Sequence, residues 1–354
     1  MSKLRVGIIG CGFIAPMHIG GYIKCKEVEI VALCDVIKER ADNLKENHNL
    51  KDAVIYTDYK KMLSEQKLDI CSVCTENNLH AKISIAALKA GCHVMCEKPM
   101  AITGAEADLM VAASKKSGRK LTVGYQLRFS SEALLLHREI QKGALGHIYF
   151  AEASALRRRG VPTWGVFLNL EKQGGGPLID IGTHLVDRTL WFMNEYSPIV
   201  SAVGRTFDHL IPLGGFNNGG HWDIDNFEVE DSAFGTVTFE SGAVLVVKTS
   251  WAANVKDMDT SLSLLMGVNG GAELKNKELT LNGESCDHLW QRHPETFDDN
   301  ASHMYMYDDE IAAWVDAVVN DKEPVVTCEQ AAHVVKVLEA IYQSARNGGK
   351  AVNF

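Results

Sequence analysis

Val6-Gly7-Ile8-Ile9-Gly10-Cys11-Gly12-Phe13-Ile14-Ala15 decides the reading of this chain, because an apolar strand turns there through G-x-G-x-x-A directly into a helix. Gly10 permits the tight turn, Gly12 removes the side chain that would block a pyrophosphate, and Ala15 lets helix and strand pack closely. The helix N-terminus offers free N–H groups to the anion. The stretch is therefore a candidate dinucleotide site, with Phe13 and Ile14 inside its loop. A second apolar strand, Val28 to Cys34, ends at Asp35, 20 residues past Ala15. A carboxylate at that place can accept hydrogen bonds from both hydroxyls of an adenosine ribose. It would also repel a 2′-phosphate, and Val36 beside it is neutral, so NAD is expected over NADP, with Arg40 softening the preference.

Helical and apolar strand patterns then alternate. Val36 to His48 reads as helix, Val54 to Tyr56 as strand, Tyr59 to Glu65 as helix and Asp69 to Cys74 as strand. Leu79 to Ala90 follows as helix, His93 to Glu97 as strand, a helix opened by a Thr103/Glu106 capping box, and a last strand at Leu121 to Gly124. Such alternation implies a doubly wound parallel sheet, and the first domain is expected to span residues 1–125. From 126 to 354 the texture is α+β. A helix at Glu132 to Lys142 precedes strands at His147 to Ala155, Val200 to Phe207, Glu230 to Glu240 and Ala243 to Trp251. Ser241-Gly242 and Val268 to Gly271 mark turns of a mainly antiparallel sheet. Helices at Met306 to Val319 and Cys328 to Arg346 close the chain, the latter capped by Thr327 with Gln330, and residues 328–346 are candidates to pack back on the first domain.

The chain has 354 residues, 46% hydrophobic and 23% charged, the composition of an ordinary globular protein long enough for two cores. A net charge of −9, with no basic cluster beyond Arg157-Arg158-Arg159, argues against a nucleic-acid surface. Met1 to Arg5 run straight into the first strand, leaving no room for a signal peptide, and no apolar run reaches membrane-span length, so a cytoplasmic, membrane-free protein is expected. Among nine cysteines, Cys71-Ser-Val-Cys74 has C-x-x-C spacing, but in a strand its thiols point to opposite faces and no paired ligands follow; no metal is expected.

Three further constellations carry candidate chemistry. Thr75 to His80 follows a strand end, where Thr75, Asn77 and His80 can touch a cofactor, while Asn77 or Asn78 can equally cap the next helix. Cys96-Glu97-Lys98-Pro99 ends the next strand. A lysine in a proline-fixed bend is restrained, and its ammonium beside a nicotinamide can orient or protonate a substrate oxygen. In Gly174-Gly-Gly-Pro-Leu-Ile-Asp180-Ile-Gly-Thr-His184, Pro177 suits the first helical position, after which Asp180 and His184 stand on one helix face. The carboxylate supports an imidazolium, and a histidine titrates where proton transfer is needed.

Taken together with Gly124-Tyr-Gln-Leu-Arg128-Phe129, these motifs closely resemble the Gfo/Idh/MocA family of glucose-fructose oxidoreductase and inositol 2-dehydrogenase over essentially the whole chain. The resemblance implies a Rossmann domain followed by a domain on a large open sheet, NAD(P) as hydride carrier, and sugars, cyclitols or related polyols as substrates. It also implies Lys98, Asp180 and His184 as the catalytic set. Arg128 would line the cleft near cofactor and substrate, and Trp164 would join the substrate contacts. Glu76 stands where the family usually carries proline, which alters that loop. The expected reaction interconverts a secondary alcohol and a ketone. Its rivals are a glycoside-cleaving enzyme that uses NAD transiently for oxidation and elimination, and a non-catalytic NAD-responsive binding protein. A sheet covered on one face only would leave an apolar surface, so a homodimer or homotetramer through the second domain is expected. The Gly- and Asn-rich stretch Asp208 to Glu228 reads as a long functional loop.

Overall fold

The computed structural model describes residues 3–294 and 303–354. Within them the chain runs β1 (Leu4–Ile9), α1 (Ala15–Lys24), β2 (Val28–Cys34), α2 (Lys38–Asn47), β3 (Val54–Tyr56), α3 (Tyr59–Glu65), β4 (Ile70–Val73), α4 (Asn77–Lys89), β5 (His93–Cys96), α5 (Gly104–Ser117) and β6 (Leu121–Val123). It continues through α6 (Ser131–Gln141), β7 (Ile148–Arg157), α7 (Leu170–Gln173), α8 (Thr183–Met193), β8 (Ile199–Phe207), β9 (Ser232–Phe239) and β10 (Val244–Ser250). The remainder is β11 (Asp259–Gly267), β12 (Gly271–Lys275), β13 (Glu278–Ser285), β14 (His288–Arg292), α9 (His303–Val319), α10 (Cys328–Arg346) and β15 (Val352–Asn353). Two compact units result, Met1–Phe129 with Asn300–Ala332, and Ser130–Asp299 with His333–Phe354.

In the first unit six parallel strands lie in the order β3-β2-β1-β4-β5-β6. Strand order reverses between β1 and β4, and at such a switch point the loops beyond the strand ends diverge and leave a ligand crevice. β4 is buried along its whole length, as a strand covered on both faces must be. The Thr103 hydroxyl and Glu106 carboxylate form the expected capping box of α5.

The division differs from a single cut after residue 125. Helix α9 belongs to the first unit, where Ile311, Trp314 and Val315 join the core made by Val6, Ile8, Ile19 and Tyr22. Its fit depends on a small residue in α1, since a Cβ added to Gly21 would lie 2.8 Å from the Ile311 Cβ. Only the first turn of α10, to Ala332, counts with this unit.

The second unit is built on a sheet of order β14-β13-β12-β11-β7-β10-β9-β8-β15, antiparallel except for the β7–β10 pair. Gly204 of β8 and Gly235 of β9 admit Ile341 of α10, which would stand within 2.9 Å of a Cβ at either position. Strand pairing sets the opposite parity, including Val203, Phe234 and Met266, on the other face, where all three are exposed.

Overpacking a tight helix contact costs about 1–3 kcal/mol. Gly21→Val is therefore expected to lower stability by that amount in urea denaturation, whereas Gly20→Ala, where an added Cβ meets nothing, is expected to leave it within about 0.5 kcal/mol.

Candidate active site

At the first unit's switch point, Gly10 takes φ +90° and a Cβ on it would run into the Cys74 carbonyl, so the loop passes over β4 only with glycine. Gly12 is different. A Cβ there would meet no protein atom within 4 Å, so the fold's own packing does not explain this glycine, whereas close approach of a pyrophosphate does. Asp35 is 8% exposed and joins loop to strand: its Oδ2 accepts from the Cys11 amide at 2.8 Å and its Oδ1 from the Ile37 amide at 2.8 Å. Each oxygen keeps a lone pair for a ribose hydroxyl. Phe13 is 78% exposed and Ile14 partly buried beside this loop. These residues fit a dinucleotide: Gly10 to Ala15 would hold the pyrophosphate and Asp35 the adenosine ribose.

The neighbouring strand ends are tied to one another. His80 is fully buried; its Nδ1 lies 2.7 Å from the Pro99 carbonyl and its Nε2 3.1 Å from the Thr75 carbonyl. Burial holds its pKa below the ordinary 6.5 against those two hydrogen bonds, so the neutral ring donates through the shorter contact. His80 thus staples the Thr75 loop to the Glu97-Lys98-Pro99 bend. Asn77 opens α4 as a partly buried first residue, after an N-cap Glu76 whose side chain makes no cap bond. Thr75 and Lys98 are partly buried. Glu97, 7% exposed, accepts from His18 Nε2 at 2.8 Å and from the Lys98 amide at 3.1 Å. Burial raises its pKa, but the hydrogen bond from His18, together with the Lys98 charge, outweighs it and holds Glu97 below 4.5. Arg128 is the residue expected to line the cleft. It is fully buried, and its Nη1 donates to the Val325 carbonyl at 3.0 Å and to Gln330 Oε1 at 2.8 Å. Gln330 is consequently drawn away from the capping box it was expected to complete, although its amide still donates to Thr327 Oγ1.

The second unit carries Asp180 and His184. Their segment is not one regular α-helix: Leu178–Gly182 form a π-turn that passes into α8 at Thr183. Three glycines lead into it. Gly174 ends α7 at φ +88°, a Cβ on Gly175 would run into the Tyr342 hydroxyl, and one on Gly176 into the Glu230 carbonyl. Glu230 in turn accepts from Tyr342 at 2.7 Å and from the Gly176 and Leu178 amides, though burial pushes its pKa above 4.5. Asp180, 6% exposed, has its Oδ2 3.0 Å from the indole nitrogen of fully buried Trp251. Trp251 was read from sequence only as a strand end; no local pattern announces a bond spanning 71 positions. Phe167 and Phe227 present edges to Trp251 at 6.5 and 6.3 Å, and half-exposed Trp164 meets Phe167 at 5.9 Å. His184 is partly buried. The Asp208 to Glu228 loop is anchored as well: Asn217 pairs with both backbone groups of Val161, at 2.8 and 3.0 Å, and Trp222 is 1% exposed. The thiols of Cys71 and Cys74, both buried, are pushed well above their ordinary pKa by desolvation, which leaves them inert.

Trp251→Phe removes the indole donor from a buried carboxylate and keeps the ring. It is expected to cost about 1–3 kcal/mol of stability, checked by denaturation, and to lower turnover about tenfold or more, checked in the assay below.

Sequence profiles match in two parts: residues 4–125 match the GFO_IDH_MocA oxidoreductase family, NAD-binding Rossmann fold, and residues 137–354 match its C-terminal alpha/beta domain. The chain is 36% identical over 349 residues to a D-glucoside 3-dehydrogenase of Escherichia coli (strain K12), covering 98% of this chain and 97% of that protein. It is 27% identical over 248 residues to a myo-inositol 2-dehydrogenase of Thermotoga maritima, covering 70% and 68%. Among solved structures, an oxidoreductase domain protein from Kribbella flavida superposes with a TM-score of 0.86 at 23% identity, covering 100% of this chain and 99% of that one. An aldose-aldose oxidoreductase from Caulobacter crescentus, complexed with glycerol, gives 0.79 at 25% identity, covering 100% of both chains. Gly12, which the protein's own packing does not explain, the carboxylate at the end of β2 and the two matched domains together make this chain an NAD-binding dehydrogenase of the Gfo/Idh/MocA oxidoreductase family.

Proposed function

We propose that the enzyme oxidises a secondary ring hydroxyl of a glucoside-like pyranose, with Lys98, Asp180 and His184 handling the proton. The observation that carries this reading is the ring ladder of the second unit, from half-exposed Trp164 through Phe167 to Trp251, whose indole nitrogen meets Asp180. An exposed aromatic face suits the C–H side of a pyranose, and a buried carboxylate at the ladder's foot suits its hydroxyls. The name of the E. coli relative supports the same substrate class. Bound NAD supplies the hydride acceptor. His184, supported by Asp180, takes the hydroxyl proton, and the Lys98 ammonium polarises the same oxygen. Incubation with NAD and a panel of methyl glucosides, free sugars, levoglucosan and cyclitols tests this by reduced-nicotinamide absorbance. Glucosides are expected to lead; a cyclitol-only activity would overturn the substrate class. Lys98→Met and His184→Asn are each expected to lose at least about 10²-fold in turnover with NAD binding nearly intact, and activity within a few-fold of wild type in both would refute the assignment.

NAD is preferred over NADP because the two amide bonds fix the Asp35 charge where a 2′-phosphate would come, beside exposed Val36. Asp35→Ser is expected to narrow the NAD/NADP efficiency ratio by about tenfold or more and to weaken NAD binding too, as the Cys11 amide loses its acceptor. An unchanged ratio would contradict this.

The enzyme works in the cytoplasm as a homodimer or homotetramer. Among the described residues no helix is long and apolar enough to cross a membrane, and the cysteines are free, as in a reducing compartment. The exposed apolar parity of the large sheet supports self-association. Light scattering at micromolar concentration is expected to give a dimer or tetramer mass, and Phe234→Lys to lower it; a wild-type monomer would end this part of the proposal.

A further inference from the structure

A buried polar chain in the first unit has no part in the scheme above. His18 lies on α1, just past the glycine loop, and is wholly inaccessible to solvent. Its Nε2 stands 2.8 Å from Glu97 Oε1 and its Nδ1 3.3 Å from Ser72 Oγ, which is 2.8 Å from the Tyr22 hydroxyl. Burial raises the Tyr22 pKa far above its ordinary value, so the phenol stays protonated and can donate throughout the working pH range. With a neutral imidazole the donors then fall in one order. Tyr22 donates to Ser72, Ser72 to His18 Nδ1, and His18 Nε2–H to Glu97.

Glu97 is held from two further sides. Its Oε2 accepts from the Lys98 amide, and the carboxyl lies close against β6's end, where a Cβ on Gly124 would stand 3.1 Å from its Oε1. A carboxylate this buried must be given donors or it takes up a proton or turns away. Lys98 and His80 also bear on it, and partly buried Tyr307 feels its charge, but the hydrogen bonds to its oxygens come from His18 and the Lys98 amide.

We propose that His18 is a positioning residue of this dehydrogenase: by holding Glu97 in its charged, inward orientation it fixes the Lys98 backbone and so the aim of the Lys98 ammonium. The side chain touches neither substrate nor cofactor in this role. The consequence for turnover rests on the reading of Lys98 given above; the consequence for the Lys98 backbone does not.

The test uses the full-length protein with NADH bound and three variants. His18→Leu removes the donor, His18→Gln keeps an N–H of similar reach, and Glu97→Gln removes the charge that accepts from Lys98. Amide hydrogen exchange is read at Lys98 and, as a control, at Val94, whose amide bonds to the Lys120 carbonyl. In His18→Leu and Glu97→Gln, Lys98 exchange is expected to rise about tenfold or more while Val94 stays as in wild type, and His18→Gln is expected to restore most of the protection. Turnover of the best panel substrate is expected to fall about 10- to 100-fold in His18→Leu, with the NADH Kd within about threefold of wild type. Unchanged Lys98 exchange would overturn the proposal, and so would an equal rise at Lys98 and Val94, which marks general loosening. If His18→Leu does not fold, the Glu97→Gln and His18→Gln pair decides by the same criterion. Should wild type turn over nothing in the panel, the substrate reading falls while the exchange result still judges His18.

Discussion

A carboxylate taken out of water must be given hydrogen-bond donors, and three such groups organise this molecule. Asp35 takes amides from the glycine loop and from its own strand end. Glu97 takes a histidine from α1 and the amide of Lys98. Asp180 meets an indole nitrogen from beyond β10. In each case the donors come at least partly from another segment, so the cost of desolvation becomes a geometric demand that distant pieces of chain meet in one arrangement. The residues that matter chemically are thereby placed by the same bonds that keep the fold consistent.

Side chains other than carboxylates extend this logic. His80 links two loops through backbone carbonyls, Arg128 reaches the Val325 carbonyl and Gln330, and Asn217 pairs with both backbone groups of Val161. Each spends side-chain hydrogen bonds on irregular backbone that has no ladder partner. A connection such as the one following β8 is anchored by such side chains as well as by its buried tryptophan.

Much of the fold is legible in the sequence because its signals are local. Helix Tyr59–Glu65, strand Val54–Tyr56 and helix Cys328–Arg346 carry their own periodicity and ends, and the structure has them where the sequence reading put them. What escaped reading depends on distance along the chain. Strand β14 is exposed at every position, and its pairing with β13 supplies what its own pattern does not. The π-turn at Leu178–Gly182 has no compositional mark. Trp251, His18 and Glu230 carry no local mark of their roles, since their partners lie 71, 79 and 112 positions away. His80 and Arg128 stand out in the sequence by their motifs, but motif position alone does not say whether a polar side chain faces a ligand or braces the backbone that does.

The first unit is assembled from two stretches of chain separated by most of the second. Its core includes Ile311, Trp314 and Val315. During synthesis the nucleotide-binding sheet therefore emerges long before the helix that closes over α1, and Gly21, Ile19 and Tyr22 wait uncovered while the intervening residues 130–299 are made. Sequential completion of an N-terminal domain before the next begins is not available to this topology. The last helices, far from any cofactor motif, set the moment at which the nucleotide-binding half becomes a finished object, and a fragment cut at the end of that half would carry every glycine of the signature yet lack part of its own core.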